Sequence, residues 1–161
     1  MPTRNFRYLH VKKTLLKFLD FYIKSSIHVA LSVVSLASIS LSLSQYELSI
    51  SMLIFIFCIA LFAYNFIKFF PIIREITNHD FPYIIFLLSL LCLLLSLYLF
   101  IQLTFLSKIV VVTGGILVLL YTLPMNKGLN NLRNTKGWKV YLVVLTWILI
   151  TVCLPFLSTT I

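Results

Sequence analysis

Five apolar stretches alternate with short polar segments along the 161-residue chain. The stretch over residues 82–103 is the clearest, because it holds no charged residue over more than twenty positions. About 20 apolar residues cross the ~30 Å hydrocarbon layer of a bilayer as a helix. Isolated strands would leave backbone groups unpaired in lipid, so the pattern predicts helices throughout. The predicted spans are residues 26–43, 50–70, 82–103, 109–123 and 138–157.

Composition supports a membrane protein. Hydrophobic residues make up 61% of the chain and charged residues 11%, against about 25% charged in an average soluble domain. The expected fold class is therefore an all-α, multi-pass transmembrane bundle of about five helices. The formal charge is +9, but the basic residues are confined to the gaps between apolar stretches. This distribution suits anionic lipid head groups or a diphosphate, and we expect no nucleic-acid partner.

Residues 1–25 form a basic leader ahead of the membrane domain, residues 26–161. Its apolar residues recur at helical spacing, with Lys13, Lys17, Asp20 and Lys24 on the opposite side. The pattern predicts an amphipathic helix on the inner membrane surface; a plain solvated leader is the alternative. No cleavable signal peptide is predicted, so the first span is expected to remain as an anchor.

Small residues indicate where helices approach one another. Ser35, Ser38 and Ser42 share one face of the first span, which predicts that this face is buried against a neighbouring helix. Gly114 and Gly115 in the fourth span predict a close helix contact or a kink.

Basic residues also predict the orientation. Twelve of the thirteen Lys and Arg residues lie in the leader, in the connection after the second span, and in residues 121–141; only Lys108 lies on the other side of the predicted membrane. Cytoplasmic loops carry the excess of basic residues. We therefore expect a multi-pass protein of the inner cell membrane, with its amino terminus in the cytoplasm and its carboxyl terminus outside.

Few residues suggest chemistry. Cys58, Cys92 and Cys153 each lie in a different apolar stretch, without metal-ligand spacing, and are predicted to be buried, inert thiols. His28 is read as a packed interfacial histidine, with a proton relay as the alternative. No metal site is predicted.

Candidate binding residues gather near the predicted cytoplasmic side. The end of the second span carries Tyr64, Asn65 and Lys68 at close helical spacing, ahead of Pro71, which is predicted to end or kink the helix. The polar stretch 121–141 contains basic residues and no acid. Its candidate binding residues are Tyr121, Lys127, Arg133 and Lys136.

Two segments resemble the amino-terminal half of the UbiA-like intramembrane prenyltransferases. Residues 115–150 are similar to the passage from the fourth to the fifth helix of that family, although the YxxxK signature has Tyr121 with Met125 at the lysine position. The second segment is the family's NDxxDxxxD motif. Placed on Asn65, its three aspartate positions fall on Phe66, Phe69 and Ile73.

The resemblance implies half of a UbiA-type bundle that binds an isoprenoid or the head group of a prenyl diphosphate. Family members hold Mg²⁺ at the aspartate positions, but phenylalanine offers no oxygen ligand. We therefore expect no cofactor and no prenyl transfer by these 161 residues. Expected partners are membrane lipids, together with a second copy or a missing carboxyl-terminal half. The alternatives are an active enzyme completed by such a half, and an unrelated small scaffold or transporter subunit.

Overall fold

The computed structural model describes residues 3–47, 49–74, 83–123 and 137–158, and every regular element within these ranges is helical. A π-helical turn, Leu149–Cys153, and a short helix α7 (Leu154–Ser158) continue the sixth α-helix. The predicted all-α bundle is confirmed. The other helices are α1 (Thr3–Lys24), α2 (Ile27–Leu43), α3 (Ile50–Arg74), α4 (Tyr83–Gln102), α5 (Phe105–Thr122) and α6 (Trp138–Ile148).

Four segments of the described chain are long and apolar enough to cross a membrane: Ile50–Phe69, Tyr83–Gln102, Phe105–Thr122 and Val140–Ser158. Lys13–Lys24 and α2 meet the same criterion only as a pair, bent by 60° at their junction. With 17 residues, α2 alone is roughly 25 Å long at about 1.5 Å per residue. The multi-pass character is confirmed. Helix α2, which corresponds to the first predicted span, is shorter than the four segments that meet the criterion alone.

The central helix is α3. It packs along α2 on one side and α4 on the other, and it meets α5 more sparsely. Phe55, Ile56 and Leu61 of α3 are almost completely buried and form the middle of the core together with Ala37 of α2 and Leu154 of α7. The remaining helices keep wide apolar surfaces exposed, as expected where lipid is the solvent.

The prediction that Ser35, Ser38 and Ser42 form a buried face is wrong. Ser35 and Ser42 are exposed and Ser38 is half-buried. The Ser35 and Ser38 hydroxyls donate to the carbonyls four residues earlier, each over 2.9 Å, so these groups are satisfied without a neighbouring helix. The inner face of α2 is instead a stripe at intervals of three and four residues. It consists of Ala30, Val33, Ala37 and Leu41.

Two helix boundaries differ from those predicted. Helix α3 does not end at Pro71 but continues to Arg74, since a proline removes one backbone hydrogen bond without preventing the following residues from being helical. Helix α5 begins at Phe105, four residues before the predicted start of the fourth span. Its first turn is capped by Thr104, whose side chain accepts from the Ser107 backbone N–H over 3.1 Å.

The last span contains a π-helical turn that the sequence analysis did not predict. The Leu154 N–H bonds to the Leu149 carbonyl, five residues back, directly before Pro155. A proline ring clashes with the carbonyl four residues earlier in a regular α-helix. A π-turn is a common way to accommodate such a conflict without breaking the span.

Candidate functional site

A cavity of about 490 Å³ lies between α3, α5 and α6. Its walls are residues 59–67 of α3, residues 111–121 of α5, and residues 142–150 of α6 and the π-turn, with Val33 of α2 also contributing. The α5 wall is roughly 15 Å long at about 1.5 Å per residue. Small-molecule sites in proteins commonly enclose about 300–1,000 Å³, so the cavity is large enough for a lipid chain or a ligand of similar size.

The described lining of this cavity is apolar and carries no formally charged side chain. Most of the surface comes from aliphatic and phenylalanine side chains of the three helices. Among the described residues of the lining, polar side-chain atoms come only from Tyr64, Tyr121, Thr146 and Trp147. A largely apolar pocket with a few polar groups suits a hydrophobic ligand that has one small polar part.

The polar groups of the cavity interact with one another. The side chains of Tyr64, Tyr121 and Trp147 all line the cavity, and both Trp147 and Tyr121 lie close enough to the Tyr64 hydroxyl to interact with it electrostatically. The Thr146 hydroxyl donates to the Leu142 carbonyl of its own helix over 2.7 Å. Two tyrosine hydroxyls and an indole from three helices therefore meet in one region of an otherwise apolar wall.

The two glycines of α5 play different roles. Gly114 is buried and faces Ile150, but a Cβ on Gly114 would lie 3.6 Å from Ile150 Cδ1, an ordinary packing distance, so this helix contact does not require a glycine. A Cβ on Gly115 would meet nothing within 4 Å, because Gly115 borders the cavity. The helix remains continuous through both residues.

Asn65, directly after Tyr64, belongs to a different site. Its side chain is 1% exposed, and its Nδ2 donates to the Ser25 carbonyl over 3.1 Å and to Ser89 Oγ over 2.7 Å. The Ser89 hydroxyl in turn donates to the Ile85 carbonyl. Within the described parts of the chain, Asn65 Oδ1 has no hydrogen-bond partner. Asn65 thus ties the α1–α2 junction and α4 to α3.

Lys68, one turn further along α3, reinforces this connection. Its Nζ donates to the Lys24 carbonyl over 2.9 Å, at the end of α1, and lies 5.6 Å from the centre of the Phe69 ring. A cation at a helix carboxyl terminus is favourable because the last carbonyls carry partial negative charge. We call Asn65, Lys68 and Ser89 the clamp, and Ser25 and Ser26 the elbow.

The elbow is where the chain changes direction between α1 and α2. Ser26 has φ 61°, in the left-handed region, and its N–H bonds to the Ile23 carbonyl. The Ser26 carbonyl then accepts from Val29 and Ala30 at the start of α2. One residue thereby ends α1 and begins α2, and the clamp binds the two carbonyl groups that precede it, those of Lys24 and Ser25.

The structure divides the predicted site residues into groups. Tyr64 and Tyr121 lie together in the cavity, whereas Asn65 and Lys68 face the elbow. The cavity residues Thr146 and Trp147 were missed. The position of Trp147 could have indicated a role. Tryptophan in a membrane span usually lies at the interface, whereas Trp147 lies well inside the last span. The basic residues Lys127, Arg133 and Lys136 lie outside the described residues.

The three positions that align with family aspartates have distinct surroundings. Phe66 lines the cavity, and Phe69 lies beside Lys68. The side chain of Ile73 is not among those described. Across the described ranges, no group of three or more His, Cys, Asp or Glu side chains is arranged to hold a metal ion.

The remaining candidates lie among neighbouring side chains. Cys58 and Cys92 are buried, as predicted, and their thiols lie close to each other. Cys153 is half-buried rather than buried. The ring of His28 lies 5.7 Å from that of Tyr22. Its Nδ1 is buried and has no hydrogen-bond partner in the described part of the chain.

No family model, curated protein or solved structure matches this chain. The resemblance to UbiA-like enzymes therefore rests on the residues quoted above.

Proposed function

We propose that this chain is a membrane-embedded lipid-binding protein whose cavity holds the apolar chain of an isoprenoid. The observation that carries the proposal is the uncharged cavity of about 490 Å³ between three apolar helices. The resemblance of residues 115–150 to UbiA-like prenyltransferases favours an isoprenoid over other lipids. Tyr121, one of the residues that carry this resemblance, also lines the cavity.

The proposed activity is binding without prenyl transfer. Mg²⁺ requires hard oxygen ligands, and the first position aligned with a family aspartate is Phe66, an apolar part of the cavity wall. Lys127, Arg133 and Lys136 would attract an anionic head group only as screened charges. Any affinity for a polyprenyl diphosphate is therefore expected to be weak, sensitive to salt and insensitive to Mg²⁺.

The proposed orientation places the elbow on the cytoplasmic side. Asn65 joins the start of α2, the later part of α3 and the start of α4, and Tyr46 meets Phe156 near the other ends of α2 and α7. These contacts fit consecutive helices that cross in alternate directions. The basic residues then favour a cytoplasmic amino terminus.

Reporter fusions at residues 46, 76, 105, 131 and 161 test this orientation. The fusions at 76 and 131 should report the cytoplasm and the other three the outside. An external signal at 131 would contradict the orientation.

Binding is tested with purified protein in detergent and two tritiated probes, geranylgeraniol and geranylgeranyl diphosphate, each with and without Mg²⁺. Gly115→Leu would fill the cavity from α5, where an added Cβ meets no atom. An overfilled site typically costs about 1–3 kcal/mol, so we expect affinity for the bound probe to fall about tenfold or more.

Thr113→Leu is the matched control, because Thr113 is exposed on the same helix and does not line the cavity. It should bind like the unchanged protein. Equal loss in both variants, or no saturable binding of either probe, would contradict the proposal. Mg²⁺-dependent transfer to an aromatic acceptor by the unchanged protein would contradict the absence of prenyl-transfer activity.

A further inference from the structure

The side chains that line the cavity favour one kind of polar group in a ligand over others. Within the described lining, no lysine, arginine or histidine is present to neutralise an anion. The closest cation along α3, Lys68, donates instead to the Lys24 carbonyl on another face of the helix. An ion moved from water into an apolar environment without a counterion loses several kcal/mol of solvation free energy. A diphosphate inside this cavity would therefore be strongly disfavoured.

The hydrogen-bonding groups that are present suit a neutral oxygen. The Tyr64 hydroxyl lies near the Trp147 indole on the cavity wall, and an indole can only donate, so the proton of the Tyr64 hydroxyl is available to a ligand. Among the described residues the Tyr121 hydroxyl has no hydrogen-bond partner. A hydroxyl both donates and accepts, so these two groups can bind the lone pairs of a carbonyl oxygen or exchange hydrogen bonds with an alcohol.

We propose that the ligand is a neutral isoprenoid that ends in a hydroxyl or carbonyl oxygen, with this oxygen bound by Tyr64 and Tyr121 and the hydrocarbon chain packed along α3, α5 and α6. The proposal rests on the proposed isoprenoid-binding function and specifies its ligand class. It excludes a prenyl diphosphate as the preferred ligand of the cavity. Other neutral lipids with one terminal oxygen share the same recognition chemistry, and a straight-chain alcohol that lacks the methyl branches of an isoprenoid separates them from it.

The test compares ligands that share one chain and differ in the end group. Geranylgeraniol should bind the purified protein at least tenfold more tightly than geranylgeranyl diphosphate, with an affinity that does not change between low and high salt. A straight-chain C16 alcohol should bind more weakly than geranylgeraniol. Equal binding of the straight-chain alcohol would overturn the isoprenoid part of the proposal.

Two tyrosine variants test the oxygen contact. Tyr121→Phe removes a hydroxyl that has no described protein partner, so its effect reports contact with the ligand. Tyr64→Phe removes the corresponding hydroxyl on α3, which lies near Trp147. One hydrogen bond contributes about 0.5–1.5 kcal/mol, so each variant should weaken alcohol binding by roughly twofold to tenfold and leave the weak diphosphate binding unchanged.

Tyr98→Phe serves as the control, since Tyr98 is exposed on α4 and does not line the cavity; it should not change alcohol affinity. Tighter binding of the diphosphate, or alcohol binding that neither Tyr64→Phe nor Tyr121→Phe weakens, would overturn this inference while leaving isoprenoid binding intact. Failure of both C20 probes to bind would overturn isoprenoid binding itself.

Discussion

Tyr64 and Asn65 are neighbours on α3, yet they lie on different faces of that helix. Asn65 is almost fully buried and its amide holds the elbow and α4. Tyr64 is half-buried and faces the cavity next to Trp147 and Tyr121. One face of the helix is thus closed by hydrogen bonds between helices, and the adjacent face is open to a ligand.

The difference between these two faces of α3 explains how a small helical bundle can maintain a cavity. A helix that packs on only one side is free to shift towards an empty space on its other side. Hydrogen bonds across the closed face fix the position of α3 relative to α2 and α4, so α3 need not move towards α5 and fill the cavity. We therefore regard the clamp as the support for the cavity, and the following variants measure how strongly the clamp holds the closed face.

The largest effect is expected from Asn65→Ala. It removes both hydrogen bonds and leaves the Ser25 carbonyl without this partner, and an unsatisfied buried group costs about 1–3 kcal/mol. We expect the free energy of unfolding to fall by about 2 kcal/mol, measured by reversible unfolding in mixed micelles. An unchanged free energy of unfolding would show that the clamp does not hold α3.

A smaller effect is expected from Ser89→Ala, with Ser96→Ala as the matched control on the same face of α4. Both serines are buried, but Ser89 accepts from Asn65 whereas Ser96 donates only to the Leu93 carbonyl of its own helix. Hydrogen bonds between membrane helices contribute about 0.6 kcal/mol on average. Ser89→Ala should lower the free energy of unfolding by roughly that amount more than Ser96→Ala, and equal effects would contradict the account.

The smallest effect is expected from Lys68→Met. The ammonium group is exposed and caps the last carbonyl of α1, and such contacts with a helix terminus contribute about 0.3–1 kcal/mol. Global unfolding should change little, whereas hydrogen exchange at Phe21 to Ser25 should become faster. Lys68→Arg should retain slow exchange, because it preserves the charge. Identical exchange in both variants would exclude the capping role.

Much of the fold could be predicted from the sequence, because the apolar stretches and their charged gaps follow directly from the requirements of a bilayer. The pattern changes from amphipathic to apolar at residues 25 and 26, and α1 and α2 meet at these residues. The buried face of α2 was assigned to the wrong residues. Alanine and serine side chains are both small enough to let helices approach closely, so size alone did not distinguish the two faces. The hydroxyls of Ser35 and Ser38 are satisfied within their own helix and need no neighbouring helix.

The candidate site was only partly predictable. Asn65 was singled out together with Tyr64 and Lys68 by their close helical spacing, but a one-dimensional pattern does not indicate that Tyr64 and Asn65 contact different helices. The pairing of Tyr64 with Trp147 joins residues far apart in the chain, so local spacing carries no sign of it. Likewise, the π-turn before Pro155 depends on how the last span accommodates its proline, and helical periodicity does not report that.

The most direct test of the account is to find which face of α3 binds the isoprenoid. A geranylgeraniol analogue that carries a diazirine on its chain would be photolysed with the purified protein, and labelled residues would be mapped by mass spectrometry with and without excess unlabelled geranylgeraniol. We predict that competable labelling falls on the cavity residues, such as Phe66, Leu117 and Trp147. Competable labelling confined to α4, around Leu91 and Leu94, would contradict the assignment of the cavity as the binding site.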